Sequence, residues 1–475
     1  MKPRLPCSRP TARGAAAVLL ALLVAAVVDA RPRAARAAAA PPVTVRALPG
    51  LPAGAHPVAA QPKKESDKKE SDKKESDKKE PEYKWPTDIN GKDINAWMKD
   101  MEDADPVNRE FAARTLSAFG PPAQKGAVSK LLLKRMNVER DPGVKLAVFA
   151  AVGQIAFDSE ADNKEALRLL AIVVDTGAPG GAGRLHAIQT IAAFGPKGEG
   201  GITALTGTAV NDPAYETRKN IATALGRVGF NESTGPNMRA LTALADRLSR
   251  DESAAVRMEA LQSLMNLGPP WAEVKKAGDK ARPPLEMKSV EVIIRYMKYR
   301  VGDPKAKPPV PGLERDKQVE IWARLVLMSF DPKEVNDDNL NAFARYLTGA
   351  EPGVKVQALN AMGICGELAA KKLNDVVRVL EEKNARLDQT VACLKVLAAI
   401  GAGAKPALPN LQKMLAEKKK ELNDKALELA KKKDDPQLTG EKYTLDELVK
   451  LIEAVIKHVD AAKPTISPSE TPKKP

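Results

Sequence analysis

The sequence has few cysteines, histidines and aromatic side chains for its 475 residues. Three cysteines are too few for a disulfide scaffold or a structural zinc array. The three histidines (His56, His186 and His458) lie far apart, which leaves little room for a histidine-rich metal centre. Aromatic residues make up 4% of the chain and hydrophobic residues 43%. The apolar content is therefore mostly Ala, Leu and Val, which suits closely packed helices better than β-sandwiches.

Sequence motifs that carry chemistry are missing as well. We find no GxGxxG, GxxxxGK[ST], GxSxG, HExxH or CxxC in a suitable context. The glycine-rich segment 177–183 has no preceding strand and no Lys-Ser pair, so we interpret it as a flexible loop between repeats rather than a phosphate-binding loop. We expect no cofactor, no metal and no enzymatic activity. We interpret His186 as a packed or surface histidine rather than a ligand or base.

The first 30 residues are typical of an export signal. A basic stretch ending at Arg13 precedes the uncharged apolar segment 14–28. Fifteen helical residues are shorter than the roughly 30 Å hydrocarbon core of a bilayer, which favours a cleaved signal over a spanning anchor. We expect export to the periplasm or the extracellular space, with membrane attachment only if the segment stays uncleaved. The third alternative is that this Ala-rich stretch is not a targeting signal.

Two segments have no pattern that predicts a fold. Residues 31–81 join an Ala/Pro-rich stretch to repeated KKESD units, and residues 463–475 are rich in Pro, Ser, Thr and Lys. Neither can bury enough apolar surface to offset the entropy of ordering, so we expect disorder. The linker is either a spacer or an inert repeat expansion. The net charge of +14 is modest and permits a nucleic-acid, acidic-protein or anionic-lipid partner without implying any of them.

Between these segments one helical pattern returns at intervals of about 40 residues. An acidic residue, often followed by Pro, opens a helix with a basic residue one turn in, an Ala/Leu stripe and a Gly. Pro and an acidic residue suit a helix start, and we expect the Gly to end the helix in a left-handed cap. A second amphipathic helix follows each time. The repeat positions are Asp105, Arg109 and Gly120; Asp141, Lys145 and Gly153; Asp212, Arg218 and Gly226; Asp251, Arg257 and Gly268; Glu351, Lys355 and Gly363; and, in two degenerate copies, Gly195 and Gly401.

No single helix pair can bury its own apolar stripe, so this period predicts an all-α solenoid of about eight stacked helix pairs. One glycine-less copy is expected at residues 316–329. We place the repeat domain at residues 82–462, with capping helices near 93–103 and 444–462 and an irregular insert at 269–317.

The repeats resemble HEAT repeats of the armadillo-like α-α superhelix class, and in particular the short, Ala-rich bacterial type related to phycobilisome lyases. The spacings Asp251 to Val256-Arg257 and Asp212 to Arg218 reproduce the family pattern, whereas Asp105 to Arg109 and Asp141 to Lys145 are shorter. The resemblance implies that first helices line the convex side and second helices the concave side. It also implies that the Asp and Arg side chains form a ladder between neighbouring turns.

On this basis we expect a non-catalytic scaffold that binds a protein partner, possibly an acidic one, in the groove lined by the second helices. The candidate partner-binding residues are one basic residue on each of seven second helices: Lys134, Arg168, Arg239, Arg295, Arg345, Arg378 and Lys413. The alternative is that these basic residues simply lie on ordinary solvent-exposed helix faces.

Three further interpretations remain from the sequence. An auxiliary lyase-like enzyme acting on a prosthetic group is suggested by the repeat type alone. Nucleic-acid binding is suggested by Arg295, Lys298 and Arg300 beside Tyr296 and Tyr299, although a core-facing helix explains that segment better.

Cys365 and Cys393 are expected to be two unpaired, mostly buried thiols.

Overall fold

The computed structural model describes residues 85–124, 126–155, 157–231, 235–267, 287–432 and 435–463. In these ranges the chain is almost entirely α-helical. Two small antiparallel ribbons pair β1 (Asp88–Ile89) with β2 (Lys92–Asp93), and β3 (Phe230–Asn231) with β4 (Gly235–Pro236). The predicted signal peptide, the linker, Gly268, the first part of the insert and the tail beyond residue 463 lie outside the described residues.

Eight helix pairs follow one another in the described ranges, between an N-terminal helix α1 (Ile94–Asp100) and a C-terminal helix α18 (Pro436–Ala461). The first helices of repeats 1 to 8 are α2 (Pro106–Leu116), α4 (Pro142–Ile155), α6 (Ala182–Ala193), α8 (Tyr215–Val228), α10 (Ala254–Leu267), α12 (Lys317–Phe330), α14 (Pro352–Ile364) and α16 (Leu387–Ile400). The second helices are α3 (Gly126–Val138), α5 (Glu160–Thr176), α7 (Ile202–Leu205), α9 (Met238–Arg250), α11 (Met287–Val301), α13 (Asp337–Arg345), α15 (Leu373–Leu380) and α17 (Leu408–Lys431). The prediction of an all-α solenoid of about eight helix pairs is confirmed.

Short 3-10 segments connect many of these helices. They span Ser117–Phe119, Pro121–Gln124, Gly195–Gly201, Thr208–Asn211, Pro332–Glu334, Gly366–Lys372 and Gly401–Ala407. The glycine-less repeat predicted at residues 316–329 is present as α12, which Asp316 caps by accepting hydrogen bonds from the amides of Gln318 and Val319.

The packing order explains why the repeats cannot stand alone. Each first helix packs on the first helix of the next repeat, and each second helix from α3 to α15 packs on the first helix that follows it in the chain. The compact helical hairpin therefore joins a second helix to the next first helix. The first helices are buried on most sides, as the successive residues Ala147, Val148 and Phe149 of α4 illustrate. Such a helix is stable only when its neighbours are in place.

The glycines of the repeat do not all end helices, which corrects one prediction. Gly120, Gly195 and Gly401 have the expected positive φ. Gly153, Gly226 and Gly363 instead lie inside α4, α8 and α14. At Gly226 the reason is close packing, because a Cβ there would lie 2.5 Å from Ser263 Oγ on α10 and 2.9 Å from its Cα.

Arginines on the first helices bind carboxylates in the next turn, as the family resemblance implied. Arg218 donates from Nε and Nη2 to Asp251 at 2.7 and 3.0 Å, and from Nη1 to the carbonyls of Asp212 and Pro213. The carboxylate is almost fully buried, with 1% of its side chain exposed. We call this series of contacts the ion-pair ladder: Arg109–Glu139, Arg184–Asp212, Arg218–Asp251, Arg257–Glu314 and, with lysine, Lys355–Glu382.

Three ladder carboxylates, Glu139, Glu314 and Glu382, are not the aspartates that the repeat pattern predicts. Arg109 pairs with Glu139 and Arg257 with Glu314, each at two hydrogen bonds. Asp105 and Asp141 instead cap helices, accepting from the amides of Val107 and Val144. A glutamate side chain is longer than an aspartate side chain, so the glutamate can lie two residues before the capping aspartate. From there it still accepts hydrogen bonds from both the guanidinium and the amides of the turn.

The glycine-rich segment before α6 also belongs to the ladder. Gly180 has φ +67 and its amide donates to both carboxylate oxygens of Asp212. Burial raises the pKa of Asp212, but hydrogen bonds from Arg184, the amide of Ala214 and the amide of Gly180 outweigh that effect and lower it overall. We expected a flexible loop between repeats here. Residues 177–181 are a loop, Ala182 and Gly183 belong to α6, and the amide of Gly180 is bonded to a buried carboxylate.

The C-terminal end is a helical hairpin. Helix α17 packs along α18, which begins at Pro436 rather than near residue 444 because Asp435 caps it. Among the described residues, one helical stretch, Leu387–Lys431, is long and apolar enough to cross a membrane. Its apolar part includes α16, whose Cys393, Leu394 and Leu397 are fully buried in the protein core, and this burial explains its composition.

Candidate functional site

The exposed side of the second helices forms a continuous surface, which we call the second-helix surface (exposed residues of α3, α5, α7, α9, α11, α13, α15 and α17). Neighbouring second helices pack side by side for α3 with α5, α5 with α7, and α9 with α11. Further along the chain, Arg378 on α15 donates to Thr348 Oγ1 after α13, and Asn410 on α17 donates to Glu381 after α15. A partner could therefore contact several repeats at once.

All seven basic residues predicted to bind a partner are exposed on this surface. Four of them are paired with carboxylates: Lys134 with Glu102, Arg168 with Glu165, Arg345 with Glu320, and Arg378 with Asp375. The other three, Arg239, Arg295 and Lys413, form no ion pair within the described ranges. The seven predicted residues are therefore not a uniform positive stripe, and of these seven only Arg239, Arg295 and Lys413 are without an ion pair in the described part of the chain.

Two clefts open on the second-helix surface. The larger, of about 970 Å³, lies between the loop after α11 and helices α13 and α15. Its lining includes Asp303, Asp338 and Asp375 together with Arg324, Arg345 and Lys372, so opposite charges face it in equal number. The smaller, of about 490 Å³, lies between the end of repeat 3, α9 and α11.

Helix α11 separates the two clefts. Val301 at its end lines the larger cleft, and Tyr296 lines the smaller one. Its outer side exposes Val292, Arg295 and Tyr299, of which the tyrosine is 50% exposed. Tyrosine and arginine are the residues that most often dominate the energy of protein interfaces.

Two of the three cations that suggested a nucleic-acid site on α11 have partners within the protein. Lys298 Nζ lies 2.6 Å from Glu334, and Arg300 Nε donates to the carbonyl of Leu248. Burial lowers the pKa of Arg300, with Arg257 adding a repulsive contribution. Only Arg295 of the three is free to bind a phosphate, and this weakens the nucleic-acid interpretation.

The chemically reactive side chains of the repeat domain are held in structural positions. Cys365 and Cys393 are both buried and unpaired, and burial raises the pKa of each thiol to about 12. His186 lies half-buried on α6, with Nδ1 2.9 Å from the carbonyl of Ala182 one turn before. Over the described ranges no group of three or more His, Cys, Asp or Glu side chains is placed to hold a metal ion.

A family model for HEAT repeats matches residues 177–265, which include α6 to α10 and the ladder steps Arg184–Asp212 and Arg218–Asp251. Residues 177–265 of this chain therefore contain HEAT repeats. A crystal structure of an engineered protein from the Northeast Structural Genomics Consortium aligns with 75% of this chain and 88% of its own, at 15% identity and a TM-score of 0.39. No curated protein matches the sequence.

The sequence predicted that the seven basic residues lie on second helices, but the pairing of four of them was missed. The partner carboxylates Glu165 and Asp375 lie three residues before Arg168 and Arg378 on the same helices, a spacing that is visible in the sequence. Glu102 and Glu320 belong to other helices or turns, and only the fold brings them close to Lys134 and Arg345.

Proposed function

We propose that this chain is a non-catalytic HEAT-repeat scaffold that binds a protein partner on its second-helix surface. The observation that carries the proposal is the difference in burial between the first and the second helices. First helices are buried by their neighbours and joined by the ion-pair ladder, whereas second helices leave a continuous exposed surface with two clefts. A surface of this kind suits a partner that spans several repeats.

The state of the reactive side chains supports a role without catalysis. A thiol with a pKa near 12 is almost wholly protonated at neutral pH, and the thiolate is the nucleophile. No observation favours a lyase-like reaction on a prosthetic group. We propose that the repeats are of the type found in phycobilisome lyases, and we do not extend that resemblance to the lyase activity.

We further propose that the scaffold acts outside the cytoplasm. Support comes from the basic, then apolar, character of residues 1–30. Cell fractionation of the full chain would test this proposal. Recovery of the chain in the cytoplasmic fraction with its first residues intact would contradict it.

Site-specific photo-cross-linking tests the binding surface. A photoreactive amino acid is placed at Thr242 or Asn341, which are exposed on second helices, and at Ala150 or Gln154, which are exposed on the first helix α4. We expect one protein to be captured from both second-helix positions and from neither first-helix position. Equal capture from all four positions, or capture only from α4, would contradict the proposed surface.

A further inference from the structure

The smaller cleft has the clearest chemical character on the second-helix surface. Its lining combines hydroxyls (Thr206, Thr242), apolar side chains (Val210, Met238), the ring of Tyr296 and the guanidinium of Arg239. The larger cleft offers no comparable preference, since Arg345 is paired with Glu320 and Asp338 with Lys305.

The charges at the smaller cleft are unbalanced in favour of cations. The carboxylate in its lining, Asp246, is held by Arg247 and Arg250 at 2.9 Å each. Arg239 has a hydroxyl partner, Thr203 Oγ1 at 3.4 Å, and forms no ion pair in the part of the chain that the structure describes. Arg295, adjacent to Tyr296 in sequence, is exposed and also forms no ion pair there. Arg239 lines the cleft, and Arg295 is a second exposed guanidinium on α11, the helix that supplies Tyr296 to the same cleft.

We propose that the cleft between α9 and α11 binds an extended acidic segment of the protein partner. Carboxylates of that segment pair with Arg239 and Arg295, and small apolar side chains contact Met238 and Tyr296. The hydroxyl oxygens of Thr206 and Thr242, which already donate to backbone carbonyls of their own helices, accept from the backbone amides of the segment. This inference rests on the proposed function and adds the location and the charge of the bound segment.

An acidic peptide fits these residues better than a nucleic acid does. Phosphate-backbone binding needs several free cations in a row, and Lys298 and Arg300 on the same helix are already engaged by Glu334 and by the carbonyl of Leu248. The apolar part of the cleft, from Val210 to Met238, suits a chain with side chains between its charges.

Fluorescence anisotropy with a labelled (Glu-Ala)6 peptide tests the inference on the full chain. We expect binding at low salt, weaker binding in 0.5 M NaCl, and a loss of about tenfold in affinity in the double variant R239Q/R295Q, because each exposed charge pair contributes modestly. The matched control is K134Q/R168Q, which removes the same charge from paired cations on the same surface and should change the affinity less than twofold. A (Gln-Ala)6 peptide should not bind.

Several results would overturn the inference. These are no binding of (Glu-Ala)6, an equal loss in R239Q/R295Q and K134Q/R168Q, or tighter binding of a twelve-nucleotide thymidine strand that depends on Arg239 and Arg295. Circular dichroism confirms that both variants stay folded. If cross-linking from Asn341 still captures a partner while the peptide fails, the scaffold proposal stands and the inference about this cleft is wrong.

Discussion

Replacing Arg218 by Met tests how strongly the ion-pair ladder holds neighbouring repeats together. The substitution leaves Asp251 buried, with 1% of its side chain exposed, and removes the hydrogen bonds at 2.7 and 3.0 Å. Removing one partner of a buried pair costs about 3–5 kcal/mol. Asp251 keeps the amide of Ser253 at 3.0 Å and Arg247 at 3.6 Å, so we expect about 3 kcal/mol, at the lower end.

The matched control is Arg168→Met. Arg168 lies at the same distance, 2.7 Å, from Glu165, but 58% and 44% of these two side chains are exposed. A surface pair contributes about 0.5 kcal/mol or less. The ion-pair distance is therefore the same for the two substitutions. Burial differs, and Arg218→Met also removes the hydrogen bonds to the carbonyls of Asp212 and Pro213.

Urea and thermal denaturation followed by circular dichroism measure both variants. For a cooperative unit of 150–250 residues each kcal/mol lowers Tm by about 2–4 °C, so Arg218→Met should lose about 6–12 °C. Adding D251N should recover part of the loss because no uncompensated carboxylate then remains buried. A loss in Arg218→Met no larger than that in Arg168→Met would refute the role assigned to the ladder.

Three other predictions concern stability and reactivity. The pKa of Asp212 is lower in the folded chain than its unfolded value of about 3.9, so the ionised carboxylate stabilises the fold above that pH, and this stability is lost as the pH falls through the folded pKa. D212N should therefore flatten the decline of the urea midpoint below pH 4. An unchanged decline would contradict this. Cys365 and Cys393 should resist iodoacetamide in the native protein and react in urea, whereas labelling of the folded chain within minutes would show that they are accessible. Gly226→Ala should destabilise the fold by about 1–3 kcal/mol because the new Cβ meets the facing helix. Gly353→Ala, whose Cβ would have nothing within 4 Å, should stabilise it by a few tenths of a kcal/mol. Equal effects of the two substitutions in denaturation would contradict this packing.

The stacking of helices could be predicted from the sequence because its causes are local. Asp212 with Arg218 and Asp251 with Arg257 carry both the helix start and a ladder residue within one short segment. The physical requirement to bury an Ala/Leu stripe then leaves stacking as the stable solution.

The glycines and the ladder partners could not be predicted fully for a physical reason. Whether a glycine such as Gly226 ends a helix or admits a neighbouring helix depends on what lies opposite, here Ser263. Glu314 pairs with Arg257 across 57 positions, and its distance in sequence gives no sign of its distance in space.

The helices that carry the candidate binding residues could be predicted from the sequence, but the pairing of these residues could not. The helical period places Arg239 and Arg345 on exposed faces. Only the fold brings Glu320 to Arg345 and leaves Arg239 without a carboxylate partner among the described residues. Side-chain pairing between repeats depends on the rotation of each helix, which the periodic pattern does not determine.

Hydrogen exchange of the Arg218→Met variant, measured by mass spectrometry, tests most directly whether the protein is an array in which each repeat is held by its neighbours. Arg218 and Asp251 join α8 to the turn before α10, so these helices should lose protection first. Helices α2 and α16, several repeats away, should keep the protection of the unmodified chain. An equal loss of protection from α2 to α16 would instead indicate one cooperative globule and contradict the account.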